Sequence, residues 1–309
     1  MARGRELNPS RYDPTNDRET HREPKHSKAD PMTPAESPAA IAGRIAVVGA
    51  GKMATTLIKA LLGAGRLEPE NVVATTRHAQ SAREVAARLG ITAGTLNPEA
   101  VRGADLVLLA VKPQALGAVL DELRPHVQPR QLVVSIVASA TLAFIERHLQ
   151  DGVPVVRAMP NTPSLVGAGM TVICAGTHAG ESDLERARAL FEAVGRVAIL
   201  DEKHMDAVTA LSASGPAFLY VVLESLAEGG VKVGLPRHIA TELAAQTALG
   251  AARMVLETGE HPALLKDAVT TPAGCTIDGL LRLEEGGLRV TLIKAVVEAT
   301  RRAGELITS

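Results

Sequence analysis

Glycine and alanine residues at a fixed spacing follow a short apolar run, and this arrangement is suited to binding a dinucleotide. Residues Ile45–Val48 are four consecutive apolar residues, as in a strand buried on both faces. Gly49, Gly51 and Ala54 then give the spacing G-x-G-x-x-A, and a helical apolar pattern follows. The first glycine would permit a sharp turn, the second would let a pyrophosphate approach the backbone, and the alanine would allow close helix packing. The amides at the helix start would hold the phosphates, whereas an ordinary strand–helix turn is the alternative.

The residues at the end of the second predicted strand, 71–76, indicate which dinucleotide is bound. An NAD-specific site usually has an acidic residue there, which binds the ribose 2′-hydroxyl. This sequence instead has Thr75, Thr76, Arg77 and His78. Hydroxyl groups and a guanidinium suit a 2′-phosphate, because arginine can bind it through two hydrogen bonds. We therefore expect NADP(H) to be preferred, with NAD(H) possible; the alternative is a solvated Arg77 at a helix entry.

A lysine follows the strongly apolar predicted strand 105–111. The carboxyl ends of strands face the cofactor in a doubly wound sheet, so Lys112 is a candidate to contact the nicotinamide ribose or the substrate. Pro113 suits the first position of a helix. A lysine that only ends a strand at the surface explains the same dipeptide, and the sequence leaves both interpretations open.

A second group of candidate residues lies between two predicted helices near the C-terminus. A proline ends the first helix, Ala273 and Gly274 leave the backbone accessible, and the next helix begins near Thr276. A helix N-terminus with small residues can bind a carboxylate, and the Thr276 hydroxyl could hydrogen-bond a neighbouring nitrogen or oxygen. The alternative is that Thr276 is only a helix N-cap. Cys275 has no histidine near it in sequence, so we expect a packed cysteine rather than a nucleophile.

These candidates require a sheet covered by helices and then a helical region. Apolar strand patterns that alternate with helical patterns predict an α/β fold with a Rossmann, doubly wound and mostly parallel sheet. Strand patterns stop near residue 201, and helical patterns continue to the end. We expect a Rossmann NAD(P)-binding domain over residues 43–202 and an all-α dimerisation and substrate domain over residues 203–309. Residues 1–42 have almost no apolar periodicity and are expected to be a disordered extension.

Two long helical patterns, 216–233 and 238–257, are apolar on nearly all sides. Helices of this kind are buried in a large core or between subunits. A region of about one hundred residues has little room to bury both. We therefore expect a homo-oligomer, at least a dimer, with an obligate interface.

Composition excludes several classes of protein. The net charge of −1 gives no overall field that favours nucleic acid, and the 2% of aromatic residues leaves little for base stacking. Two cysteines, Cys174 and Cys275, make neither a disulfide framework nor a metal cluster, which suits a reducing compartment and predicts no metal. No membrane-spanning segment or signal peptide is expected. We expect a cytoplasmic protein with a small-molecule substrate and no nucleic-acid or membrane partner.

Eight ordered motifs make the chain resemble the pyrroline-5-carboxylate reductase family, whose members catalyse the NAD(P)H-dependent last step of proline synthesis. The resemblance extends from about residue 45 to the last helix. The matching segments are 49–54 (GAGKMA), 110–113 (AVKP), 159–163 (MPNTP), 206–209 (DAVT), 212–217 (SASGPA), 229–232 (GGVK), 234–236 (GLP) and 271–276 (TPAGCT).

The resemblance implies hydride transfer to the C=N carbon of 1-pyrroline-5-carboxylate, giving L-proline, at an active site shared across a dimer. It implies that the loop 273–276 binds the substrate carboxylate and ring nitrogen, that Glu202 lies near the site, and that Thr76 and Asn97 contact the cofactor. We expect Thr276 and Lys112 to be catalytic. The expected substrate-binding residues are Glu202, Gly274, Cys275 and Thr276. The expected cofactor contacts are Gly49, Ala50, Gly51, Lys52, Met53, Thr76, Arg77, Asn97, Ala110, Val111, Lys112, Pro113, Val137 and Ala138.

Four positions depart from the family pattern, the first being Thr271, which stands where the late motif usually has serine. Ala273 stands where the late motif usually has glycine, Ser139 stands where the loop after the fifth strand usually ends in glycine, and Ala213 replaces a usual glycine in the helical region. These departures bear on affinity and substrate breadth rather than on the class of enzyme.

Other functions fit part of the sequence. A β-hydroxyacid dehydrogenase shares the glycine loop and the helical second domain, but its catalytic lysine is followed by asparagine four residues later. Lys232, Lys266 and Lys294 fail this test. A different imine reductase would share the imine chemistry, and a non-catalytic NADP-sensing protein would bind the cofactor without turnover.

Overall fold

Strands and helices alternate along the chain up to residue 199, and helices follow. The computed structural model describes residue 41 and residues 43–305, so the predicted extension 1–42 lies outside the described residues except for Ile41. The strands are β1 (Ile45–Val48), β2 (Val72–Thr75), β3 (Thr92–Gly94), β4 (Leu106–Leu109), β5 (Leu132–Ser135), β6 (Val155–Met159), β7 (Gly169–Ala175) and β8 (Gly195–Ile199). The helices are α1 (Lys52–Gly63), α2 (Ala79–Leu89), α3 (Asn97–Val101), α4 (Pro113–Leu123), α5 (Leu142–His148), α6 (Glu181–Glu192), α7 (Met205–Val208), α8 (Gly215–Lys232), α9 (Arg237–Thr258), α10 (Pro262–Ala268), α11 (Cys275–Glu285) and α12 (Leu288–Glu305).

One sheet contains all eight strands of the described chain, in the order β3-β2-β1-β4-β5-β6-β7-β8. Every neighbouring pair is parallel except β6 and β7, which are antiparallel. The strand order reverses between β1 and β4, and a crevice forms at such a switch point beyond the carboxyl ends of the strands. The predicted Rossmann sheet, doubly wound and mostly parallel, is confirmed.

Both faces of the sheet are covered, which explains the unbroken apolar runs of its central strands. Ile45 and Val47 of β1 belong to a buried cluster that includes α1 and α6. Ala46 and Val48 point to the opposite face and belong to a cluster that includes α4 and α5. Because successive side chains of a strand alternate between faces, one four-residue strand contributes to two cores.

The short edge strand β3 and the helix α3 are absent from the sequence prediction. The residues of β3, Thr-Ala-Gly, are half-buried or exposed and include no large apolar side chain, so they carry no strand pattern. A second difference follows β6, where two prolines predict a loop without helix. Residues Thr162–Val166 form a 3-10 turn there, and a proline near its start is compatible with helical geometry.

A π-helical turn, Thr209–Ala213, joins α7 to α8. A π turn shifts the pattern of backbone hydrogen bonds and is often found near functional sites. Asn161 Nδ2 donates to the carbonyl oxygen of Ser212 at 3.2 Å, while Asn161 Oδ1 accepts from the Met170 N–H at 2.9 Å. This amide therefore ties the loop after β6 to the π turn, and α12 packs against α7 and the same turn.

The two long apolar helices α8 and α9 pack on one another but are poorly covered by the rest of the chain. Ala227 in α8 and Ala240 and Ala244 in α9 are buried. Burial in a core of the same chain is therefore the wrong explanation for their apolar sequence. The large apolar side chains that remain exposed on them include Leu219, Tyr220, Val221, Leu226, Leu243 and Leu249.

The helical run Glu202–Lys232 is long and apolar enough to cross a membrane, by length and composition alone. Buried helices of proteins without membrane spans pass the same test. This run leaves large apolar side chains exposed, among them Leu219, Tyr220 and Val221.

Candidate active site

The register of the sheet brings the predicted cofactor residues to one edge. Val48 at the end of β1 pairs with Thr75 of β2 and with Leu109 of β4, and Leu109 pairs with Ser135 of β5. These four strands therefore end in one row. The segments that follow these strand ends therefore lie next to one another. They are residues 49–53, 76–77, 110–113 and 136–138, and they contain all the predicted cofactor contacts except Asn97.

The glycine loop has the shape that a dinucleotide requires. Gly49 has φ +88°, and a Cβ there would lie 2.7 Å from Val111 Cγ1 and 2.9 Å from the Val111 nitrogen, so only glycine fits. Gly51 is the N-cap of α1, and a Cβ there would meet nothing within 4 Å. Since the protein does not fill that space, the missing side chain leaves room for a ligand. Ala54 is fully buried between α1 and the sheet, as the spacing predicts.

The N-terminus of α1 is suited to a phosphate. No side chain caps the helix, and its first turn contains no acidic residue. The amides and the helix dipole therefore favour an anion, and Lys52 at the first helical position adds a positive charge. These residues fit a bound pyrophosphate.

The end of β2 is hydrogen-bonded to the glycine loop. The Thr75 carbonyl accepts from the N–H groups of Gly49 and Ala50 at 3.1 and 2.7 Å. The buried Thr75 hydroxyl donates to Asn97 Oδ1 at 2.7 Å. Asn97, the first residue of α3, is thereby placed beside the loop, although it comes from a different strand–helix connection.

Thr76 and Arg77 have different surroundings. The Thr76 hydroxyl donates to the His78 carbonyl at 2.9 Å, so its proton is already used. Arg77 is exposed, and within residues 43–305 its guanidinium makes no hydrogen bond or ion pair. Arg77 therefore has its donors available for a 2′-phosphate.

Lys112 is the N-cap of α4 and is exposed at the carboxyl edge of the sheet. Pro113 begins the helix, as the dipeptide predicts. In the described part of the chain the Lys112 ammonium has no carboxylate partner. The ammonium therefore lies at the edge of the sheet where a dinucleotide binds in a doubly wound fold.

A cleft of about 240 Å³ lies beside the loop that follows β5. Ala138 and Ser139 form one side, and the other sides come from Arg157 of β6, from the α7–π-turn region and from the end of α12. Ser139 has φ +65°, a conformation that favours glycine. The lining residues Asp206, Thr209 and Ser214 lie in segments that resemble the family, but the sequence did not predict them as site residues.

Glu202 is held by internal partners. Its Oε1 accepts from Arg157 Nη1 at 2.8 Å and from the Leu142 N–H at 2.7 Å. Arg157 is 2% exposed, and its Nε is buried without a hydrogen bond among the described residues. Burial, together with the charge of Glu202, raises the pKa of the neighbouring Cys174 thiol to about 12, so Cys174 is unreactive. The geometry gives Glu202 a structural role beside the cleft.

The second predicted group forms the start of α11. Gly274 is the N-cap and has no side chain with which to cap the helix; Thr276 is the second helical residue, so the interpretation of Thr276 as an N-cap is wrong. Cys275 is exposed in the single chain, so the expected packed cysteine is wrong there too. Ala273 has φ +55°, and a Cβ on Gly274 would collide with Thr271 Oγ1. The Gly274 N–H donates to the Thr271 carbonyl at 3.0 Å, so the loop presents the free amides of Cys275 and Thr276 together with the half-buried Thr276 hydroxyl.

The single chain does not join its two candidate groups. Within the described residues, no hydrogen bond or ion pair connects residues 271–276 to the Rossmann elements. The neighbouring helices α10 and α11 pack instead on α9 and α12. The cofactor edge and the start of α11 are therefore separate parts of the described chain.

The fold and the first group of residues define a class, the Rossmann oxidoreductases that use a nicotinamide dinucleotide and carry a helical region after the sheet. A family model described as NADP oxidoreductase, coenzyme F420-dependent, matches residues 44–139. A second, described as pyrroline-5-carboxylate reductase dimerisation, matches residues 202–306.

Comparison with known proteins specifies the family. The chain is 44% identical to pyrroline-5-carboxylate reductase of Methanosarcina acetivorans over 85% of this chain and 97% of the relative. It is 41% identical to the Arabidopsis thaliana enzyme over 86% of this chain and 96% of the relative. A solved pyrroline-5-carboxylate reductase from Coxiella burnetii superposes with a TM-score of 0.81 at 35% identity, covering 86% of this chain and 99% of that one. The Plasmodium falciparum pyrroline carboxylate reductase, solved with NADP bound, gives 0.78 at 28% identity, covering 87% and 100%.

This chain belongs to the pyrroline-5-carboxylate reductase family. Family membership confirms the resemblance of the ordered motifs, and with it the class of enzyme, an oxidoreductase acting on a C=N bond with a nicotinamide cofactor.

Proposed function

We propose that this protein reduces 1-pyrroline-5-carboxylate to L-proline with NADPH, the last step of proline biosynthesis. The observation that carries the proposal is the dinucleotide cradle at Gly49 and Gly51, in a chain 44% identical to a pyrroline-5-carboxylate reductase. NADPH is favoured over NADH because Arg77, with free donors, stands where NAD-specific folds place an acid. The P. falciparum relative, solved with NADP bound, supports this preference.

The substrate-side chemistry belongs to the start of α11. NADPH bound at the cofactor edge would supply the hydride for the C=N carbon, and a neutral imine also needs one proton on its ring nitrogen. The free amides of Cys275 and Thr276 hold the substrate carboxylate at the helix N-terminus, whereas the expected contact from the Gly274 N–H is lost because this group donates to the Thr271 carbonyl at 3.0 Å. The Thr276 hydroxyl hydrogen-bonds the ring nitrogen and orients the imine. The proton comes from solvent, or the imine arrives already protonated.

Lys112 completes the proposed cofactor edge. Its exposed ammonium at the start of α4 is placed to contact the nicotinamide ribose or the substrate. The other proposed cofactor contacts are the loop residues 49–53, Thr76, Asn97, 110–113 and Val137–Ala138, and the position of these residues at or beside one edge of the sheet supports the proposal.

We infer that a second copy of the chain covers α8 and α9 and supplies the missing half of the site. The dimerisation family model spans the helices that leave large apolar side chains exposed. With residues 43–202 as the cofactor domain and residues 203–309 as the dimerisation domain, the start of α11 in one copy serves the cofactor edge of the other. On this basis the apolar run Glu202–Lys232 contacts protein and not lipid. We also propose a cytoplasmic location, where NADPH is available.

One assay tests the function against its alternatives. Oxidation of NADPH is followed with 1-pyrroline-5-carboxylate, and reduction of NADP⁺ is followed with 3-hydroxyacids. Turnover of the imine, with proline as the product, supports the proposal. Turnover of a 3-hydroxyacid alone would indicate a β-hydroxyacid dehydrogenase, and cofactor binding without any turnover would indicate an NADP-sensing protein.

A further inference from the structure

A chain of hydrogen bonds beside the glycine loop joins residues from four separate parts of the fold. The Gly49 N–H lies 3.4 Å from Thr75 Oγ1, and the Thr75 hydroxyl donates to Asn97 Oδ1 at 2.7 Å. Asn97 Nδ2 donates in turn to Glu122 Oε2 at 2.9 Å. The chain therefore ends on an acidic residue of α4 to which the sequence analysis gave no role.

The carboxylate of Glu122 sets the direction of these hydrogen bonds. An ionised carboxylate can only accept, so the Asn97 amide must present its NH₂ to Glu122 and its carbonyl to Thr75. The Thr75 hydroxyl then donates to Asn97 and keeps a lone pair towards the Gly49 N–H. Thr75 is 2% exposed, and a reversed amide would deprive its buried hydroxyl of an acceptor, which is unfavourable.

The direction matters because Thr75 holds the loop. Its carbonyl accepts from the N–H groups of both Gly49 and Ala50. A tilted Thr75 would shift the two residues that begin the turn into α1. Hydrogen bonds in a connected network strengthen one another. Loss of the Glu122 carboxylate would therefore also weaken the hydrogen bond from the Gly49 N–H.

We propose that Glu122 is a positioning residue of the cofactor site: it fixes the orientation of the Asn97 amide and, through Thr75, the glycine loop. This inference rests on the proposed function, in that the loop binds a dinucleotide. The loop would hold the pyrophosphate, which NADPH and NADH share. Glu122 therefore affects the affinity for both cofactors equally, whereas Arg77 at the 2′-phosphate discriminates between them.

Three variants test the proposal: Glu122→Ala, Glu122→Gln and the control Asp121→Ala. Asp121 is an exposed acid on the same helix, and its side chain has no hydrogen bond in the described part of the chain. Dissociation constants for NADPH and NADH are measured by nicotinamide fluorescence, and unfolding midpoints and kcat are measured alongside.

Glu122→Ala should weaken the binding of both cofactors about five- to tenfold, the range of one hydrogen bond, with kcat at saturating cofactor and the unfolding midpoint unchanged. Glu122→Gln keeps an acceptor but adds a donor that admits the reversed Asn97 amide, so its loss of affinity should lie between the parent and Glu122→Ala. Asp121→Ala should bind as the parent does. In an Asn97→Ala background, Glu122→Ala should have no further effect.

Parent-like affinity of Glu122→Ala would overturn the proposal. So would a change confined to NADPH, because the charge would then act on the 2′-phosphate, and so would additive losses in the Asn97→Ala background. A parent protein that binds neither cofactor would instead overturn the proposed function. Binding by the parent with an insensitive Glu122→Ala removes only the role of Glu122.

Discussion

Arg157 and Glu202 form an ion pair in which Arg157 Nη1 lies 2.8 Å from Glu202 Oε1. The same oxygen accepts the Leu142 N–H, so one atom links β6, the start of α5 and the first turn of the helical region. The arginine is 2% exposed and the glutamate side chain 30%. Loss of the carboxylate would leave a buried guanidinium without its charged partner.

Glu202→Ala should therefore lower the free energy of unfolding by about 2–4 kcal/mol. Removing one partner of a fully buried ion pair costs about 3–5 kcal/mol, and the cost is smaller here because Glu202 is partly solvated. Glu202→Gln keeps the acceptor oxygen and should lose less. Urea unfolding measures the difference, with Asp201→Ala, an exposed neighbour paired to Lys203, as the control. If Glu202→Ala is as stable as the parent but raises KM for the imine, Glu202 binds substrate and the structural role is wrong.

Arg77→Ala should raise KM for NADPH by about tenfold or more, because a charge-assisted hydrogen bond to phosphate contributes about 1.5–3 kcal/mol to binding. KM for NADH should stay nearly constant. Arg83→Ala, an exposed arginine further along α2, is the matched control. Equal increases in KM for NADPH and NADH would show that Arg77 does not bind the 2′-phosphate.

Thr276→Ala should reduce kcat/KM about ten- to a hundredfold, the effect of losing one transition-state hydrogen bond of about 1–3 kcal/mol. Thr276→Ser should retain most activity. Because Gly274 and not Thr276 caps α11, the unfolding midpoint of both variants should match the parent. A Thr276→Ala protein with full turnover would remove the hydroxyl from the mechanism.

Ser139 has φ +65°, a left-handed backbone conformation that glycine adopts at lower cost than serine. Ser139→Gly should be at least as stable as the parent, since relief of the left-handed strain offsets the greater freedom of the unfolded glycine. Ser139→Val should be less stable by about 1–2 kcal/mol. As a control, Ser81→Gly inside α2 should destabilise. Equal unfolding midpoints for Ser139→Val and Ser139→Gly would show that the backbone at Ser139 is not strained.

The two cysteines should differ in reactivity and in their effect on alkaline stability. A thiol reagent at about pH 8 should label Cys275 wherever the start of α11 is accessible and leave Cys174 unlabelled in the folded protein. The pKa of Cys174 rises from 9.0 to about 12 on folding, so the unfolded chain loses this proton first. The contribution of the Cys174 thiol to the free energy of unfolding is therefore fully present below about pH 9 and is lost as the pH rises towards 12.

Urea titrations at about pH 8 and about pH 10 measure that loss. The stability of Cys174→Ala should fall less between these two pH values than that of the parent. Equal slopes for the two proteins would show that the Cys174 proton does not contribute.

Local patterns were sufficient for the cofactor half of the molecule. The apolar run at Ile45–Val48, the turn at Gly49 and the helix after Gly51 are specified by residues close together in the chain, and the structure has them as predicted. The strand ends followed from the same reasoning, because parallel strands bring their carboxyl ends to one edge. The short strand β3 lacked such a pattern and was missed.

Long-range packing decided the remainder. Glu122 reaches Asn97 across 25 positions of sequence, and Glu202 reaches Arg157 across 45. No local periodicity encodes either contact, because each depends on how α4 or the first helical turn lies against the sheet. The exposure of α8 and α9 likewise depends on which surfaces one chain can bury by itself, and so does the separation of Thr276 from the cofactor edge. Helices whose sequence is apolar on nearly all sides therefore lie at the surface of the single chain.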